Sequence, residues 1–176
     1  MIFSPTSLEG SYLIDLERHE DDRGFFARSW CAREFEEHGL AGDLKQCNIS
    51  YNAKRGTLRG MHYQDKPFEE VRLVRCTRGS IYDVIIDLRP QSVTFRKHVG
   101  VTLSEEKRNA LYVPKGFAHG FITLQDEVEV FYQMSEFYHP ECARGVRWDD
   151  SAFGLRWPIE VQVISERDRT YPDFAL

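Results

Sequence analysis

The chain has 176 residues, 41% hydrophobic and 29% charged, which fits one globular domain over residues 1–176 with a proper apolar core. Its net charge of −5 argues against a nucleic-acid surface and leaves room only for a local basic pocket that takes a small anion. No apolar run approaches bilayer length and no membrane partner is expected; the first residues, MIFSPTSLEG, lack the basic flank and apolar stretch of a signal peptide, so the expected location is the cytoplasm.

Short β-prone runs then follow one another along the chain. They cover residues 11–16, 24–30, 44–51, 57–63, 71–76, 81–88, 99–103, 110–113, 119–124 and 128–134. Turn formers part many of them: Asn52, Gly56, Gly79, Pro90, and the pair Pro114 and Gly116. The spacing predicts a single helix at 32–38, closed by Gly39 as a C-cap. Residues 81–88 are apolar on both parities apart from Asp83 and Asp87, as in a central strand covered on both sides. The run at 104–108 mixes both signs of charge and reads as a solvated turn. Past residue 134 the chain becomes loop-rich, with Trp148, Trp157 and Pro158, and reads as a tail that wraps the barrel and returns Asp168 to the core. Many short strands with few helices imply an antiparallel sandwich or barrel. Cys31, Cys47, Cys76 and Cys142 form no C-x-x-C pair and are expected to be buried free thiols rather than disulfides or a zinc site.

Two polar constellations stand out. In Arg59-Gly60-Met61-His62-Tyr63-Gln64, a regular strand sends Arg59 and His62 to opposite faces, and a bulge at Gly60 would turn both inward. Taken alone, a surface arginine and an ordinary hydrogen-bonded histidine explain this segment better. In Val113-Pro114-Lys115-Gly116-Phe117-Ala118-His119-Gly120-Phe121, the P-x-G-x-x-H spacing makes a tight turn feeding a strand, and it matches the second half-motif of cupins. The first half-motif would supply H-x-H and a glutamate to a metal. Here it reads His62-Tyr63-Gln64, then Glu69 or Glu70; Gln64 removes a good nitrogen ligand, so a jelly roll is expected without a metal.

Further motifs continue in order. They are Asp21-Asp22-Arg23-Gly24-Phe25-Phe26, Gln46-x-Asn48-x-Ser50, Asp83-Val84-x-x-Asp87-Leu88-Arg89, then Ser92-x-Thr94-Phe95, Tyr132, Tyr138, Trp148-Asp149-Asp150, Trp157-Pro158 and Ser165-x-x-Asp168. This collinear set, spanning nearly the whole chain, resembles the dTDP-4-dehydrorhamnose 3,5-epimerase family. The resemblance implies an all-β, cupin-type double-stranded β-helix (jelly roll) with short peripheral helices. It implies an epimerase that inverts C3 and C5 of a nucleotide-linked 4-keto-6-deoxyhexose without cofactor or metal, working as a homodimer that shares N-terminal strands between subunits. A C3- or C5-monoepimerase is the near alternative. A non-catalytic sugar-nucleotide-binding cupin and a metal-dependent oxygenase are the readings from other classes.

The chemistry fits those residues. A C4 ketone acidifies the protons on C3 and C5, so inversion needs a base on one face, an acid on the other and a donor at the enolate oxygen. The resemblance puts the base at His62, oriented by Asp168, and the acid at Tyr132. It puts Arg72 and His119 near the enolate oxygen, Arg23 and Arg59 on the diphosphate, and Phe26, Gln46, Asn48 and Tyr138 among the substrate contacts. The sequence departs from the family pattern at Arg28, where a glutamate is common, and at Arg72 and Gln133, where lysines are common.

Overall fold

The computed structural model describes residues 1–175. Strands β1 (Ile2–Pro5) and β2 (Tyr12–Asp15) pair antiparallel, and β3 (His19–Asp21) with β4 (Gly24–Phe26) makes a separate hairpin. Helix α1 (Ala32–Glu37) follows, with Gly39 at φ 70° just past its end, where a left-handed residue closes a helix without a Cβ clash. Its one buried side chain, Phe35, sits edge-on to Phe3 and Tyr112 and so docks the helix on β1 and the sheet behind it.

The barrel proper is β5 (Gln46–Asn52), β6 (Thr57–Gln64), β7 (Arg72–Arg78), β8 (Ser80–Asp87), β9 (His98–Ser104), β10 (Ala110–Val113), β11 (Phe117–Thr123) and β12 (Val128–Met134). Short β13 (Ala143–Gly145), β14 (Val163–Ile164) and the single-turn α2 (Glu166–Arg169) complete the chain. One sheet runs β1-β2-β10-β7-β12-β5, and a second runs β13-β6-β11-β8-β9. The pairs within these sheets are antiparallel; β14 is added parallel to β6, with Val163 opposite Thr57 and Ile164 opposite Leu58. Val74, Leu111 and Val130 of the first sheet and Ile81, Ile85, Leu103 and Phe121 of the second share one buried cluster, which makes the two sheets a sandwich around a common core. This is the all-β jelly roll that the strand spacing and the cupin half-motif predict.

Differences from the sequence-based expectation are local. The strand expected at 24–30 stops at Phe26, because beyond it the chain crosses the outer surface of β7, where Arg75 holds the Ser29 carbonyl at 3.0 Å. The strands β1, β3, β13 and β14 were not expected; each is only two to four residues long and owes its form to a neighbour rather than to its own apolar pattern. The tail does return, as the reading of its C-terminal third requires. Among the described residues all four cysteines are free, but only Cys76 is buried; Cys47 is exposed and Cys31 and Cys142 are partly so, against the expectation of buried thiols. No described helix is long and apolar enough to cross a membrane.

Candidate active site

Alternation along three adjacent strands builds the cleft. On β12 the side chains of Val128, Val130, Tyr132 and Met134 share one face, because every second residue of a strand does. Tyr132 lies opposite Asn48 of β5 and Val74 of β7, and Met134 lies opposite Gln46 and Arg72. The same face is therefore apolar at one end, where Val74, Cys76 and Val130 join the core, and polar at the other. At the polar end opens a cavity of about 370 Å3, walled by Gln46, Asn48, His62, Arg72, Tyr132 and Tyr138. A second, of about 190 Å3, shares His62, Arg72 and Tyr132 and adds Arg59 and His119.

The expected bulge on β6 is present. His119 pairs with His62, but Phe121 pairs with Arg59, so Gly120 alone faces both Gly60 and Met61. Only glycines allow this. A Cβ on Gly60 would lie 2.5 Å from the Gly120 Cα, and Gly60 has φ 142°. The extra residue turns His62 and Arg59 toward the same space, where both line the smaller cavity.

His62 is bonded to Asp168 and flanked by Tyr171. Its Nε2 and the Asp168 Oδ1 are 2.7 Å apart, and Asp168 Oδ2 accepts the Gly60 N–H at 3.2 Å. Ser165 caps α2 by accepting the Asp168 N–H at 3.1 Å, which fixes the carboxylate where β14 delivers it. Asp168 is buried, and burial alone would push its carboxyl up. Hydrogen bonds from His62, Gly60 and Ser165 and the His62 charge outweigh that and hold it below the usual range. An ionised Asp168 takes the Nε2 proton as its hydrogen bond and leaves Nδ1, which has no hydrogen bond among the described residues, as the basic nitrogen. The Tyr171 ring stands edge-on to the imidazole at 6.2 Å. It fits there because Gly145, directly opposite His62 on β13, has no Cβ; one would meet the tyrosine ring at 2.3 Å.

A second carboxylate–imidazole pair lies deeper. His119 Nε2 is 2.9 Å from the Asp83 Oδ2, and both groups are buried. Burial pushes the Asp83 carboxyl up, against the opposing pull of His119 and Arg72. Arg72 brings its Nη1 to 3.4 Å from the other nitrogen of His119, and its remaining edge grips Glu70.

Gln64 shows how the metal-binding histidine position of a cupin is used here. Its amide donates to the carbonyls of Phe68 (2.9 Å) and Phe137 (3.1 Å) and accepts from the His139 N–H (2.6 Å). The buried side chain is thus committed to tying two loops to the cleft wall. At the mouth, Tyr138 is half exposed and its N–H is held by Gln46 at 2.9 Å, while Gln46 donates to Asn48 at 3.2 Å.

The cleft thus gathers His62, Tyr132, Gln46, Asn48, Arg59, Arg72, His119 and Tyr138, with Asp168 behind His62. Arg23 and Phe26 are elsewhere in the single chain. Both sit on the β3–β4 hairpin, Arg23 paired with Asp21 and its side chain 89% exposed, Phe26 74% exposed. Sequence reasoning missed Arg144 and Arg167, which also line the cleft, and Tyr171, Gly145 and Glu70. Arg59, Arg144 and Arg167 have no carboxylate partner among the described residues, so a chain that is negative overall brings three uncompensated guanidinium groups to the two adjoining cavities. Asp83 had a legible signal, a charged residue within an apolar run; Arg144 and Arg167 had none.

Comparison with known proteins agrees with this picture. The family model described as dTDP-4-dehydrorhamnose 3,5-epimerase matches residues 5–175. The dTDP-4-dehydrorhamnose 3,5-epimerase of Methanothermobacter thermautotrophicus is 44% identical over 173 residues, covering 96% of this chain and 92% of its own. The crystal structure of dTDP-4-dehydrorhamnose 3,5-epimerase from Elizabethkingia anophelis superposes with a TM-score of 0.96 at 38% identity, covering 99% of this chain and 96% of that one. The Bacillus anthracis enzyme of the same name, solved with TDP and PPi bound, gives 0.94 at 38% identity over 98% and 99% of the two chains.

Proposed function

The chain belongs to the dTDP-4-dehydrorhamnose 3,5-epimerase family, and from that membership and the cleft's geometry we propose that it inverts both C3 and C5 of dTDP-4-dehydro-6-deoxyglucose to give dTDP-4-dehydrorhamnose. The observation that carries the reading is His62, backed by the buried Asp168 on one wall, sharing its cavities with Tyr132 on the other. His62 Nδ1 takes the proton from the carbon beside the ketone, and the electron pair moves onto the ketone oxygen as an enolate. Arg72 faces that oxygen and stabilises its charge, with His119, anchored on Asp83, close beside it. Tyr132 then gives its phenolic proton to the opposite face of the same carbon. Solvent removes the proton from His62 and restores the one on Tyr132, so each inversion exchanges a substrate hydrogen with water. The sugar turns in the cleft to present the second carbon.

Arg59 is assigned to the diphosphate, with Gln46, Asn48 and Tyr138 as further substrate contacts. Arg23 and Phe26 reach a cleft only from another copy of the chain. Their exposure on a free hairpin supports a homodimer in which N-terminal strands are shared and each hairpin serves the partner's site. The enzyme acts in the cytoplasm, in deoxysugar supply for surface polysaccharide. The test is proton NMR of dTDP-4-dehydro-6-deoxyglucose in deuterated water. The wild type is expected to place deuterium at both C3 and C5 and yield the doubly inverted sugar, and His62→Ala nearly none. Deuterium confined to one carbon, or normal exchange by a folded His62→Ala, would overturn the reading.

A further inference from the structure

The proton transfers above use no part of Glu70, yet this carboxylate is buried against the cleft residue Arg72 with its side chain only 3% exposed. A buried carboxylate is strongly unfavourable unless it is paired. Its partner is Arg72, which donates Nε to Oε1 at 2.9 Å and Nη2 to the same oxygen. Glu70 Oε2 has no hydrogen-bond partner among the described residues. Residue 71 between them is pinned at both backbone groups: the Val71 N–H donates to Ser135 Oγ at 2.8 Å and the Ser135 N–H to the Val71 carbonyl at 3.0 Å. Two residues apart on extended chain, Glu70 and Arg72 share a face and meet. Once Nε and Nη2 are held, the guanidinium plane is set, and Nη1 projects beside His119, 3.4 Å from its Nδ1. The opposite nitrogen of His119 is in turn anchored on Asp83.

We propose that Glu70 is a positioning residue for Arg72, gripping one edge of the guanidinium so that the other edge is presented to the substrate's enolate oxygen beside His119. This rests on the reaction assigned above. It also makes residues 70 and 72 a matched pair. An arginine fork bonds Glu70 with one edge and still offers N–H groups on the other. The single ammonium of a lysine at 72 would be drawn onto Glu70 and away from the cleft.

A double-mutant cycle tests this, with kcat, KM and solvent exchange measured for each variant. Arg72→Lys is expected to lower kcat roughly ten- to a hundredfold with KM little changed, since the lost interaction belongs to the transition state. Glu70→Gln keeps an acceptor oxygen and stays within a few-fold of wild type. Glu70→Gln with Arg72→Lys recovers roughly tenfold over Arg72→Lys alone, because the lysine is released. A double variant no better than Arg72→Lys, or a folded Glu70→Ala with wild-type kcat, overturns the proposal. The clamp is also read without turnover, from the Arg72 Nε–H in proton–nitrogen NMR. A protected resonance that disappears in Glu70→Ala supports the grip, and one unchanged there refutes it. Wild-type protein that leaves this sugar unexchanged while showing that resonance refutes the reaction and not the grip.

Discussion

Replacing Asp168 by asparagine alters one charge and almost no volume, so its effect isolates what the carboxylate does for His62. Asp168 offers two acceptor oxygens, one for the imidazole Nε2 at 2.7 Å and one for the Gly60 N–H at 3.2 Å. Asparagine has a single acceptor. If its oxygen stays on Gly60, its NH2 group faces Nε2, which must then give up its proton and force Nδ1 into the protonated, non-basic tautomer. If the oxygen turns to His62, the NH2 group meets the Gly60 N–H head-on. A charge-assisted hydrogen bond is worth about 1.5–3 kcal/mol, and leaving a buried donor unmade costs about 1–3 kcal/mol. At about 1.4 kcal/mol per decade the two together predict a loss of roughly 10²- to 10⁴-fold in kcat. The loss should be smaller than that of His62→Ala, because the imidazole remains. The assay is deuterium incorporation into the dTDP-linked sugar by proton NMR, with circular dichroism to confirm the fold. Exchange within fivefold of wild type, taken as roughly 1 kcal/mol, would refute the orienting role.

Tyr132→Phe is expected to keep solvent exchange and lose inversion, since proton abstraction is untouched and the far face has no donor; normal product formation by NMR would move the acid elsewhere. Arg59 is exposed, with its Nε on Asn52 at 2.7 Å, and Arg59→Ala should weaken dTDP binding about ten- to a hundredfold by calorimetry, unchanged affinity counting against it. Gly120→Ala puts a Cβ 2.8 Å from the Arg59 carbonyl and 2.6 Å from Met61 Sδ, so chemical denaturation should show a loss of roughly 1–3 kcal/mol; an unchanged midpoint would mean that the bulge relaxes freely. The lowered Asp168 carboxyl gives stability that is complete above its ordinary value of 3.8 and is lost as pH falls through the folded value. The stability gap between wild type and Asp168→Asn should therefore narrow in acid, and a gap that widens would reverse the sign of the linkage.

The strands of the sandwich were legible because each carries its own alternation or apolar run. Alternation within the run at 128–134 puts Tyr132 on the face of Val130 and Met134, and Tyr132 does pack against the core cluster that holds Val130. The bulge at Gly60 was legible as a conflict, since Arg59 and His62 share a pocket only if one residue is extra. What the sequence hid depends on long-range placement. The parallel pairing of β14 with β6 leaves no local trace in Val163 and Ile164, yet it delivers Asp168 to a histidine 106 residues earlier. Arg144 and Arg167 look like any solvated arginine until the tail folds over. The Glu70–Arg72 pair reads as ordinary charge alternation until burial gives it meaning. Arg23 and Phe26, assigned through resemblance alone, lie on an exposed hairpin away from the cleft of their own chain.

The attachment of that tail has a thermodynamic corollary. The histidine belongs to the sandwich, but its carboxylate partner is carried by a two-residue strand and a single helical turn. Such small appendages open at free energies well below that of the domain that carries them. The proposed role of Asp168 therefore makes catalytic competence and structural integrity separable properties. Gentle denaturant or heat would silence a population whose β-sandwich is still whole, and removing the stress would restore activity as fast as a short segment finds its groove. On that assignment turnover reports on the docking equilibrium, whereas sheet circular dichroism reports on the core.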